Sequence, residues 1–220
     1  KSSLIIMLLI PFYLQLNAQK SLLKKVDKYL VAKDTSKALT HLNKQIVKHP
    51  TEGSLYLKRA EVKIERGDLD PAMVDLNTYC SLEKRCEKAT YLKGIIRYKQ
   101  QDYHGAIEHF SEFSKNSENE NGWMYLGLCH LAMQNFQVAQ NAFERCLEVN
   151  PENFNAIYNA GLAAYQDERY VTAIEFFVKA TQMNGESLPA WIGLGLSQNG
   201  YSKFEQSNLS LRNALAIQPN

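Results

Sequence analysis

Small apolar residues recur along this chain at a step of 34 or 33. Ala38, Ala72, Ala106, Ala139 and Ala173 form one series; Ala60, Gly94, Gly127, Gly161 and Gly195 form another. Large apolar residues keep the same step, as Leu42, Leu76, Phe110, Phe143, Phe177 and Leu211, and as Leu69, Tyr103, Phe136, Tyr170 and Phe204. The polar pairs Gly67-Asp68, Gln101-Asp102, Gln134-Asn135 and Asp167-Glu168 punctuate the pattern with the chemistry of one helix stopping and another starting. No stretch reads as a convincing strand. Self-similarity at this period predicts a helical repeat array in which each unit is two antiparallel helices. Counting outward gives six units: 19–52, 53–86, 87–119, 120–153, 154–187 and 188–220. Glycine inside a helix costs about 1 kcal/mol relative to alanine. Its return at one phase therefore predicts a close crossing of two backbones.

A longer motif sharpens this reading. Trp123-Met-Tyr-Leu126-Gly127 returns as Trp191-Ile-Gly-Leu194-Gly195, with Ile157-Tyr-Asn-Ala160-Gly161 midway, and the helix-ending positions run Pro151, Gly185, Pro219. The pattern resembles the tetratricopeptide repeat (TPR) family, whose Trp-x2-Leu-Gly, later Ala-x3-Phe and closing Pro stand nearly whole from Trp123 to Pro151. The resemblance implies an all-α, right-handed superhelical solenoid whose concave wall is lined by first-helix residues. Mapped onto this chain, that wall comprises Leu57, Tyr91, Ile95, Tyr98, Met124, Leu128, Leu131, Tyr158, Leu162, Tyr165, Ile192 and Leu196. A stripe this apolar reads in two ways: a groove for an apolar or aromatic protein segment, or a face drawn into the core by tight packing. The carboxylate clamp of some TPR domains is absent, since its positions read Leu23/Asp27, Leu57/Glu61, Tyr91/Ile95, Met124/Leu128 and Tyr158/Leu162. The function implied is a non-enzymatic adaptor of the cell envelope that binds a protein or peptide segment. The alternative is a structural subunit, or a scaffold that self-associates end to end.

The envelope enters through residues 1–18. Lys1 is followed by an apolar run from Leu4 to Leu16, broken only by Pro11, Tyr13 and Gln15, and then by Asn17-Ala18. This resembles a secretory signal peptide cut after Ala18. It is shorter than the roughly 20 apolar residues that span a bilayer. The expectation is export to the periplasm or beyond the cell, with no integral span after cleavage; the alternative is a chain tethered by an uncleaved segment. Export places four cysteines in an oxidising compartment. Cys80 and Cys86 flank the connection between two predicted helices and form a candidate disulfide, whereas Cys129 and Cys146 fall at small core positions and read as buried thiols.

Composition narrows the classes. With 45% hydrophobic and 22% charged residues the chain has the balance of a folded protein. A net charge of +2 offers too little positive field to argue for nucleic acid. Residues 19–118 hold 19 Lys/Arg against 14 Asp/Glu, and residues 119–220 hold 5 against 9. That asymmetry reads either as ordinary solvated faces or as an acidic partner or head-to-tail contact at one end. The sign changes near the polar stretch 114–121, where the repeat step shortens to 33, so a joint there competes with a locally adjusted turn. At the other end no polar helix follows the last unit, and Leu209, Leu215 and Ile217 are expected to be partly exposed. Catalytic chemistry finds no foothold. His104 and His109 are five apart and share no helix face, Cys129-His130 point in different directions, and His130 reads as a packed residue. Asn208-Leu-Ser210 matches a glycosylation acceptor inside a predicted helix. No cofactor, metal or enzyme activity is expected.

Overall fold

The structure, a computed structural model, describes residues 23–116 and 119–218. The signal-like segment 1–18, the start of the first unit, residues 117–118 of the 114–121 stretch, and Pro219-Asn220 lie outside the described residues. Among those described there are twelve helices and no strand. Residues 23–31 form α1. There follow α2 (Thr35–Lys48), α3 (Gly53–Arg66), α4 (Leu69–Leu82), α5 (Glu87–Lys99) and α6 (Tyr103–Asn116). The remainder are α7 (Glu120–Ala132), α8 (Phe136–Val149), α9 (Phe154–Gln166), α10 (Tyr170–Met183), α11 (Leu188–Gly200) and α12 (Phe204–Ile217). Contacts divide the chain after Ile96, inside α5, into two compact units. The division does not fall at the polar 114–121 stretch. In the first unit α3 pairs with α4; in the second, α7 with α8, α9 with α10 and α11 with α12. None of the described helices is long and apolar enough to cross a membrane.

One local device recurs at six turns. Lys33, Gly67, Gln101, Gln134, Glu168 and Ser202 all have φ between 56° and 88°. At each, the next N–H reaches back five residues, as in Asp68 to the Lys63 carbonyl and Asn135 to the His130 carbonyl. The left-handed residue itself donates to the carbonyl three before it. This is the Schellman arrangement, which satisfies the orphan carbonyls of a finished helix and turns the chain sharply. Helix starts are capped less uniformly: Asp34, Asn119, Asn153 and Ser187 accept backbone N–H groups through their side chains.

Packing explains the small residues. Ala38, Ala60, Ala72, Ala106, Ala139 and Ala173 are all fully buried. A Cβ added to Gly127 would lie 2.6 Å from Phe143 Cδ1, one on Gly161 3.2 Å from Phe177 Cδ1, and one on Gly195 2.7 Å from Leu211 Cδ2. Each glycine of the first helix thus receives the large residue sixteen positions later on the second. Phe143 and Phe177 are buried as a result, each contributing roughly 2–3 kcal/mol of transfer free energy. In the last pair a serine takes the alanine position. Ser207 is buried, and its hydroxyl donates to the Gly195 carbonyl at 2.8 Å.

Each unit has its own core. In the first, Val26, Ala38, Leu42, Ile46, Leu55 and Val62 cluster. In the second, one cluster gathers around Phe143, Ile157 and Ala180, and another around Ala173, Phe177 and Leu194. The first unit also contains a charge that the sequence pattern does not announce. Asp75 is 2% exposed and accepts two hydrogen bonds from Arg59, at 2.9 and 2.6 Å, with Lys63 Nζ 2.8 Å away. A buried carboxylate needs such partners to offset its desolvation.

Candidate functional site

The first helix of each pair carries the residues expected to line a binding wall, and their exposure is graded. In the first unit Leu57 and Tyr91 are half-buried, and Ile95 is buried. Ile95, about 9% exposed, therefore offers almost no surface as a wall residue. In the second unit Tyr98, Met124, Leu128, Leu131, Tyr158, Leu162 and Tyr165 are half-buried, while Ile192 and Leu196 are exposed, at 39% and 42%. The exposed pair lies on α11, and α9 contacts both α11 and α7. Among the expected wall positions, exposure is thus greatest on α11.

The half-buried members serve two masters. Met124, Leu128, Leu131 and Tyr158 pack against the Phe143 cluster, and Leu162 and Tyr165 against the Phe177 cluster. The tyrosines interlock. Tyr98 meets Tyr103 and Tyr125 edge-on at 5.7 and 5.5 Å, and Tyr125 stacks on Phe110 at 5.0 Å. Tyr158 stacks along Phe154 at 6.4 Å and meets the Phe177 edge at 5.7 Å; Tyr165 lies 6.0 Å from Tyr170. Burial, followed by the Cys129, Tyr103 and Tyr125 groups, raises the Tyr98 phenol above its ordinary pKa, so it is a neutral hydrogen-bonding tip. Such rings offer contact area at small entropic cost.

The clamp positions are occupied by other chemistry. Asp27 is 3.2 Å from Lys58, and Glu61 lies 3.6 Å from Lys58 and 2.6 Å from Lys88. Those carboxylates are engaged within the chain.

Cys80 and Cys86 are free thiols, so the candidate disulfide is not formed in this structure. They are nonetheless neighbours: burial first, and then the adjoining Cys86 thiol, push the Cys80 pKa up to about 11. Cys129 and Cys146 are fully buried free thiols, raised by burial to about 12 and about 11. His130 is half-buried, with Nδ1 buried and lacking a partner. Burial, then nearby His104, lowers its pKa. Sequence spacing missed the approach of His104 to His130, because it pairs residues on different helices. Among the described residues no group of three or more His, Cys, Asp or Glu could hold a metal ion.

Comparisons agree with this architecture. A tetratricopeptide repeat family profile matches residues 130–186. The BBSome complex member BBS4 homolog of Drosophila melanogaster is 24% identical over 201 residues, covering 90% of this chain and 41% of that protein. The Protein SGT1 homolog of Bos taurus is 27% identical over 129 residues, 58% of this chain and 38% of that one. The chain thus spans about two fifths of the length of these relatives. Among solved structures, the C-terminal part of a TPR repeat-containing protein from Cytophaga hutchinsonii superposes with a TM-score of 0.79 at 18% identity, over 88% of this chain and 78% of that one. Pseudomonas aeruginosa pilF gives 0.76 at 18% over 93% of both chains. YrrB, described as a TPR protein with an unusual peptide-binding site, gives 0.71 at 19%, over 81% of this chain and 93% of that one. The repeat motif, the helix pairs built on it and the solved neighbours agree on the fold of tetratricopeptide repeat proteins, and residues 130–186 match that family itself.

Proposed function

We propose that the chain is a non-enzymatic adaptor that holds a segment of a partner protein against the first-helix wall of α7, α9 and α11, and that it does so in the cell envelope after export. Tetratricopeptide repeats mediate protein–protein interaction, which supplies the class. The observation that carries the reading is the open end of the wall, where exposed Ile192 and Leu196 sit on α11 and half-buried Tyr158, Leu162 and Tyr165 on neighbouring α9. An apolar residue of a partner would bury area there without displacing any core contact. The envelope location rests on the signal-like run from Leu4 to Leu16 alone.

Ile192→Ser with Leu196→Ser is the discriminating variant. Tyr98 and Tyr165 brace aromatic neighbours, so their removal would confound binding with folding. Brief crosslinking in cells followed by affinity purification should recover an envelope protein with wild type and lose it with the double variant. Equal recovery from both would remove the wall from consideration.

The second reading, a self-associating subunit, is favoured by one feature. Phe204, Leu209 and Leu215 on α12 are 60%, 63% and 57% exposed. Light scattering on the purified chain and on Leu209→Ser/Leu215→Ser separates the two: a mass that drops with the variant supports assembly through α12, and a monomer in both leaves the adaptor.

A further inference from the structure

One face of the first unit gathers positive charge without answering it. On α2, His41, Lys44, Gln45 and Lys48 follow at i, i+3, i+4 and i+7, the spacing of a single helical stripe. Lys25 joins them from α1, and with Val47 these residues line a recess of about 470 Å³. No carboxylate lines it, and among the described residues none pairs with Lys25, Lys44 or Lys48. The contrast with the next helix is sharp. Every basic residue of α3 faces an acid: Lys58 meets Asp27 and Glu61, Arg59 and Lys63 meet Asp75, and Arg66 meets Asp68. Lys44 and Lys48, at i and i+4, repel one another along this stripe. Burial first, and to a smaller extent the Lys25, Lys44 and Lys48 ammonium groups, lower the His41 pKa.

We propose that this α1–α2 face is a docking surface for an acidic helical segment of a partner protein, separate from the first-helix wall. Carboxylates spaced along one helix face would meet Lys44 and Lys48, which stand one turn apart on α2, with Lys25 beside them. Val47, 82% exposed beside them, offers an apolar contact, and the Gln45 amide a hydrogen-bonding one. A bilayer surface is planar and would meet the ammonium groups without filling the recess. A nucleic acid would need a longer basic track than three lysines. The inference rests on the protein-binding reading of the chain, but not on the wall: Ile192→Ser/Leu196→Ser leaves this face intact, so the two can fail separately.

The test is fluorescence anisotropy of a labelled alanine-based peptide with Glu at i, i+3, i+4 and i+7, titrated with the chain. An otherwise identical peptide with Gln in place of Glu is the control. The Glu peptide should bind saturably, more weakly as NaCl rises, and at least about tenfold more weakly to Lys44→Glu/Lys48→Glu. Lys99→Glu/Lys115→Glu, exposed positions on α5 and α6 that change net charge equally, should bind as wild type does. In a parallel NMR titration the His41 pKa should rise when the Glu peptide is added, because its carboxylates cancel the lysine field. Circular dichroism checks that the variants are folded. Equal affinity for the Glu and Gln peptides, or the same loss in both double variants, would overturn the proposal. So would binding of phosphatidylglycerol vesicles or of a single-stranded oligonucleotide that depends on Lys44 and Lys48 while the peptide fails.

Discussion

At the scale of single residues, Gly127 shows how closely this fold specifies its sequence. Its missing side chain is the space taken by the Phe143 ring. Gly127→Ala should destabilise the chain by about 1–3 kcal/mol despite the better helix propensity of alanine, because the ring must move or the helices part. Gly185→Ala, whose new Cβ would lie 3.8 Å from its nearest neighbour, should change stability by less than about 0.5 kcal/mol. Urea denaturation of the two proteins reads the difference. Asp75→Ala strands Arg59 and Lys63 beside an apolar core and should cost about 3 kcal/mol or more by the same measurement. The two residues differ in how far the sequence reveals them. The recurrence of glycine at one phase declares a packing reason, whereas an aspartate inside an amphipathic helix reads as surface. Only the positions of Arg59 and Lys63 on the facing helix show it to be buried.

At the scale of elements, the connection between α4 and α5 carries the testable chemistry. Cys80 closes the last turn of α4, and the Cys86 carbonyl accepts the Thr90 N–H at the start of α5, at 2.8 Å. With glutathione disulfide as oxidant, thiolate attack and exchange would leave a Cys80–Cys86 bond and two molecules of glutathione. Mass spectrometry should then show the chain lighter by about 2 Da, and two of the four thiols lost to alkylation under denaturing conditions. The bridge should add up to about 2 kcal/mol to stability. Persistence of all four thiols would exclude it. Helices themselves were legible because small and large positions keep a common step. The wall was legible only as a list of first-helix positions: sequence position does not say how much of a side chain is covered, and Ile95 is buried while Leu196 is open.

At the scale of the whole molecule, stability should have a plateau bounded on both sides. The lowered pKa values of His41 and His130 mean that the unfolded chain takes up protons first, so stability should fall as pH drops below about 6.5. The raised pKa values of Cys129 and Cys146 act in the other direction: the unfolded thiols ionise first, so stability should fall as pH rises above about 9. Thermal melts from pH 4 to 11 should trace both limbs, and Cys129→Ala should flatten the alkaline one. The charge asymmetry and the polar 114–121 stretch left open a joint or a locally adjusted turn, and the contacts divide the chain at another place, after Ile96. One consequence of the six left-handed turns concerns how such a chain could be improved. Only Gly67 fills its turn without strain; Lys33, Gln101, Gln134, Glu168 and Ser202 each hold an unfavourable backbone in the same motif. Glycine at each should raise stability by about 0.5–1 kcal/mol. Because the turns share no side-chain partners, the gains should add, giving five independent steps by which the melting temperature can be raised without touching either proposed binding face.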